Sequence, residues 1–185
     1  MIAPAEAESP PRPNARLRAL RAPGRALVLA LLAALLMAPP APGQGTGPSF
    51  VVEDPREGLV REFDIDLLAT LPQTDYVTAT VWTDAVNHYT GVLLRDILRH
   101  AGIDPAAGPG TVTVTALDGY SASLPFAEID VVAPMLAFLR NGAPMPLRAQ
   151  GPFWLLFPYD DDPAFHTETT YARSVWQVSR ILVER

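Results

Sequence analysis

The sequence contains no cysteine and no lysine. Without a thiol the chain forms no disulfide, offers no sulfur to a metal and has no cysteine nucleophile. A lipid on a mature N-terminal cysteine is excluded for the same reason. Without lysine, all 14 basic residues are arginine, which we read as a composition bias. No two arginines are adjacent, so the twin-arginine export signal is missing. No glycine-rich phosphate loop is present, and no Ser-His-Asp arrangement can be singled out from spacing. The chain also lacks a long apolar run. The longest, Ala26 to Met37, falls well short of the about 20 residues a spanning helix needs.

That short run is informative in its setting. Residues 1–25 hold five arginines (Arg12, Arg16, Arg18, Arg21, Arg25) against Glu6 and Glu8, and small residues and prolines follow Met37. Basic stretch, apolar run and small residues together predict a signal peptide over 1–43, with Ala41 at the minus-three position and cleavage after Gly43. The alternative is an uncleaved anchor. The expected location is periplasmic or secreted, by a general secretion route. Residues 44–49 read as a flexible tether and residues 50–185 as one domain, long enough for an ordinary hydrophobic core.

Removing the leader leaves nine basic and 18 acidic residues in 44–185, a net charge of −9. So acidic a domain carries no electrostatic footprint for nucleic acid or anionic lipid.

Several segments have clear local signals. Phe63 and Ile65 alternate before a short helical patch, 66–71, closed by Pro72. Thr74–Thr83 reads as a strand, rich in valine, threonine and aromatics. Apolar residues at 93, 94, 97, 98 and 101 have helical spacing, with Gly102 where a C-terminal cap belongs. Thr111–Leu117 is a β-branched strand, and Asp118-Gly119 turns into a second strand, Tyr120–Leu124. Pro125 at a first helical position and Glu128 predict a short helix. Met135–Leu139 reads as a strand ended by Asn141-Gly142, Phe153–Phe157 as a buried strand, and Val175–Val183 as the last one. The fold class is α+β, dominated by β structure in mixed sheets with a few short helices.

The order of these elements and five local motifs resemble the molybdopterin-binding oxidoreductase domain, the fold of sulfite oxidase and of periplasmic methionine-sulfoxide reductase catalytic subunits. The motifs are GVLLRDIL (91–98), ALDGYSASLP (116–125), NGAPMP (141–146), GPFWLLFP (151–158) and RSVWQVSRILV (173–183). The resemblance covers Phe50 to Glu184. It implies a metal held by one cysteine about a dozen residues before Gly91, and the matching positions here are Thr78 or Ala79. Alanine has no donor atom, and a threonine hydroxyl is a poor soft ligand. No cofactor is therefore expected, with molybdopterin held without a thiolate as the alternative.

The resemblance also implies that Arg173 and Ser174 match a pair contacting the phosphate end of the pterin. A guanidinium and a hydroxyl suit any phosphate or carboxylate. Arg148, before the GP strand, falls where the family places polar contacts. Trp82, His88 and Tyr89 flank the empty metal position; core packing competes for Trp82, and His88 sits in a turn-like, exposed segment. With the turn residues Asp118 and Tyr120, the candidate ligand-binding set is Trp82, His88, Asp118, Tyr120, Arg148, Arg173 and Ser174. Asp160, Asp161, Asp162, His166 and Glu168 form an acidic surface loop, with a hard-cation site as the alternative reading. The expected role is a non-catalytic binding or sensory module whose partner is a small anionic or polar ligand. The alternatives are a molybdopterin-dependent oxidoreductase with non-thiolate metal ligation and an interaction domain for a neighbouring membrane protein.

Overall fold

The computed structural model of the protein describes residues 47–185. The expected signal peptide and residues 44–46 of the tether lie outside the described residues. Among those described, no helix is long and apolar enough to cross a membrane. Ser49, the last tether residue, already belongs to the first strand, β1 (Ser49–Asp54).

Two five-stranded sheets carry the fold. The first has the order β2 (Leu59–Asp64), β1, β10 (Val178–Glu184), β5 (Thr111–Ala116), β6 (Ser121–Pro125). β1 and β10 run parallel at its centre, with Val51 to Glu53 facing Arg180 to Leu182. In the second sheet β3 (Thr74–Thr78), β4 (Asn87–Leu93), β7 (Met135–Arg140) and β8 (Ala143–Pro144) follow one another, and β9 (Trp154–Leu156) also pairs with β7. Among the described residues, three short α-helices complete it: α1 (Ile65–Ala69), α2 (Leu94–His100) and α3 (Glu168–Arg173).

Alternating burial explains the strands. Val112, Val114 and Ala116 on β5 are buried while the intervening threonines are half-buried. β9 is buried at every residue, as the unbroken apolar run GPFWLLFP requires. Phe50 on β1 stacks on Phe63 of β2 (ring centroids 5.3 Å apart) and meets Phe153 edge-on (5.1 Å), which ties the first sheet to the segment leading into β9. Leu155 is fully buried and Phe157 nearly so. Truncating Leu155 to alanine is expected to cost about 2–5 kcal/mol in chemical denaturation, the range for cavity-forming core substitutions. A loss under about 0.5 kcal/mol, the scale of a surface change, would remove β9 from the core.

Asn141 and Gly142 both have positive φ, 52° and 77°, the paired left-handed conformation of a tight two-residue hairpin between β7 and β8. Several elements and boundaries differ from the sequence reading. The strand from Thr74 stops at Thr78, because residues 79–86 turn away from the sheet. The segment around His88 is the strand β4 rather than a turn. Pro125 caps a 3-10 turn at Phe126–Glu128 instead of occupying its first helical position. Arg173 ends a helix that low apolar content had hidden, and the last strand starts at Val178 instead of Val175.

Candidate ligand cleft

The site begins where β3 ends. Thr78 is buried, and its Oγ1 accepts the Asp160 N–H (3.1 Å) while its hydroxyl donates to the Ala79 carbonyl (3.0 Å). The Ala79 N–H in turn donates to Asp160 Oδ2 (2.7 Å). These bonds stitch the end of β3 to the 158–162 loop. Beyond them, the Thr80 and Thr83 hydroxyls bond to each other (2.9 Å) and Thr80 Oγ1 accepts the Trp82 N–H (3.2 Å). The resulting turn presents the Trp82 ring edge-on to Trp154, Tyr171 and Trp176, with centroids 5.6–5.9 Å away.

α3 supplies the facing wall. Thr167 caps it by accepting the Thr170 N–H (3.1 Å), and Tyr171 and Ala172 lie in its last turn. After it the chain passes through Ser174, Val175 and Trp176. Ser174 is buried: its hydroxyl donates to the Thr170 carbonyl (2.8 Å) and bonds the Tyr159 hydroxyl, while its carbonyl accepts Trp154 Nε1–H (3.2 Å). Burial pushes the Tyr159 phenol well above its ordinary pKa, so it stays protonated. The third wall is the β5–β6 turn. Asp118 Oδ1 accepts the Tyr120 N–H (2.9 Å), and the Tyr120 hydroxyl donates to the Ala172 carbonyl (2.6 Å), tying the turn to α3.

Together these walls enclose an open cavity of about 350 Å³, lined by Trp82, Tyr120, Tyr171 and Trp176, by Asp118, and by the stretch Ala172, Ser174 and Val175. A smaller cavity of about 170 Å³ adjoins it through Tyr171 and reaches Ala79, Asp160 and His166.

Four of the seven candidate residues, Trp82, Asp118, Tyr120 and Ser174, line the larger cavity. The other three do not. His88 projects from the exposed face of β4 and pairs with Asp75 (Nε2 to Oδ1, 3.1 Å). Arg148 lies exposed on the 3-10 turn Leu147–Ala149. Arg173 turns away from the cavity: its guanidinium pairs with Glu128 and its Nε donates to the Ser123 carbonyl (3.1 Å). Tyr89, flanking the same position in the sequence, is a core residue behind Trp154 (centroids 5.7 Å apart). Trp82 both packs on the core and faces the cavity. Tyr171 and Trp176 escaped the sequence reading; two aromatics bracketing the Arg173-Ser174 pair were the signal that could have found them.

The acidic loop is spent locally. Asp160 accepts the Ala79 N–H, Asp162 accepts the Ala164 N–H (2.8 Å), and His166 Nδ1 bonds the Tyr171 hydroxyl (3.1 Å). Among the described residues, no three His, Cys, Asp or Glu side chains are grouped so as to hold a metal ion.

Residues 66–159, half of the chain, match the family described as the oxidoreductase molybdopterin binding domain. The chain belongs to this family. Its matched stretch carries the Trp82 turn and the Asp118-Tyr120 turn, whereas the α3 wall lies C-terminal to it. Among solved structures, the crystal structure of the sulfane dehydrogenase SoxCD from Paracoccus pantotrophus is similar in fold, with a TM-score of 0.52 at 20% sequence identity. The match covers 74% of this chain and 38% of that one, so this chain spans well under half of that chain's length. None of the curated proteins matches the chain. The β-rich fold with mixed sheets and the family expected from the five motifs are thus those found.

The donor set does not fit the metal of a molybdopterin group. The resemblance places the metal ligand at Thr78 or Ala79, and the Thr78 hydroxyl is already bonded on both sides. The basic residue matched to the pterin phosphate, Arg173, is neutralised by Glu128. No thiol exists elsewhere to replace the missing one.

Proposed function

We propose that this chain is an exported, non-catalytic module that binds a small ligand in the Trp82–Trp176 cleft of a molybdopterin-oxidoreductase fold. The observation that carries the reading is the end of β3. The position that the resemblance gives for the thiolate, Thr78 or Ala79, carries no thiol, and the Thr78 hydroxyl is engaged in backbone bonds. The small cavity at Ala79 and the larger Trp82–Trp176 cleft, which share Tyr171, stay open. Deleting a ligand removes the redox chemistry of a soft metal site without filling the surrounding space. Fold alone does not dictate activity, so the site's own chemistry decides.

Metal and pterin analysis of the protein purified from its own host tests this. We expect far less than one molybdenum per chain, no oxidation of sulfite and no reduction of sulfoxides. About one molybdenum per chain with turnover by the unaltered sequence would overturn the proposal. Export is tested separately: N-terminal sequencing of the extracytoplasmic form should give a start near Gln44. Recovery of the intact chain in the cytoplasm, its first residues retained, counts against it.

A further inference from the structure

The chemistry of the cleft argues for a ligand of particular charge. Four aromatic side chains line it, and Trp82 stands nearly perpendicular to both Tyr171 (89°) and Trp176 (90°), so these three rings form a corner and not a flat stack. Aromatic faces carry negative electrostatic potential and attract cations, most strongly those that are weakly hydrated and easily stripped of water.

Asp118 is the one charged residue in the lining, and no arginine is among it. One Asp118 oxygen takes the Tyr120 N–H, and the residue joins none of the ion pairs among the described residues. The one base on α3, Arg173, points to Glu128. An anion entering this cleft meets a carboxylate and ring faces with no countercharge. A cation meets both as partners, and the −9 net charge of residues 44–185 draws it in.

We propose that the cleft binds a small organic cation of the quaternary ammonium class, boxed by Trp82, Tyr171 and Trp176 and countered by Asp118. This deepens the small-ligand reading above and rests on it. It replaces the anionic ligand expected from Arg173, because that guanidinium is not available to the cavity. About 350 Å³ accommodates a trimethylammonium group with a short polar tail.

Choline is the probe, with the uncharged carbon isostere dimethylbutanol and inorganic sulfate beside it. Two of the three tryptophans wall the cleft, so intrinsic fluorescence of the full chain reports occupancy. Choline should give a saturable change, dimethylbutanol should bind at least about tenfold more weakly, and sulfate should not saturate. Asp118→Asn keeps an oxygen for the Tyr120 N–H and removes the charge, and should weaken choline about tenfold or more with an unchanged melting temperature. Equal binding of choline and its isostere overturns the cationic assignment, as does the absence of saturation by choline and by tetramethylammonium. Saturation by sulfate alone overturns it while leaving the small-ligand reading intact. Stoichiometric molybdenum, read in the separate assay, would instead defeat the reading on which it rests.

Discussion

Trp154→Ala is expected to destabilise the domain by about 3–5 kcal/mol, the scale for emptying a large aromatic site in a core. Trp154 is fully buried on β9. Its ring meets Trp82, Tyr89 and Trp176 at 5.7–6.4 Å, all steeply inclined, and its Nε1–H satisfies the Ser174 carbonyl. Its backbone pairs with Ala137 of β7 on one side and bridges to Trp176 on the other. Alanine there removes the floor on which the two cleft tryptophans rest and leaves a buried carbonyl unpaired. Urea unfolding should show the loss, and choline binding by the folded fraction should fall with it. A variant within about 1 kcal/mol of the parent, well below that range, would show that Trp154 is not the packed floor of the cleft.

The contrast between what could and could not be read from the sequence follows from where each signal resides. GPFWLLFP announces a buried strand because an unbroken apolar run has no polar face to expose, and the 93–101 spacing announces α2 because it repeats at the helical period. β4 was hidden because Asn87 and His88 are turn-formers by composition. They sit in a strand because His88 pairs across to Val77 and its N–H bonds the Asn141 side chain, partners remote in sequence. α3 was hidden because Glu-Thr-Thr-Tyr-Ala-Arg has no apolar stripe; a threonine cap and the packing of Tyr171 hold it. At the cleft, residue types at the two turns were readable, giving Trp82, Asp118 and Tyr120. The direction of Arg173 was not, since its partner Glu128 lies 45 residues away. A charge pair that distant leaves no local pattern.

Gly91→Ala should cost about 3 kcal/mol or more, at the upper end of overpacking penalties. Gly91 sits at the register shift where β4 crosses β7. A Cβ built there would lie 2.2 Å from the Leu136 carbonyl oxygen and 2.7 Å from the Ala137 Cα. Both obstacles are backbone, so no side-chain rotation relieves them, and one of the two strands must move. Gly108→Ala is the control. Its added methyl meets nothing within 4 Å and its backbone is extended, so it should stay within about 0.5 kcal/mol of the parent. Thermal or urea melts of the pair decide the matter: similar stabilities would show that β4 and β7 separate freely at Gly91.

The parallel pairing of β1 with β10 sets a timetable for synthesis. Val51 to Glu53 wait for partners at Arg180 to Leu182, and about 125 residues separate the two strands. At ribosomal rates of about 5–20 residues per second the first strand is made about 6–25 s before its neighbour exists. For that interval the β1–β2 hairpin has one unfilled edge. The first sheet is therefore completed only when the last strand of the chain has been made, so its two N-terminal strands cannot reach their final pairing any earlier.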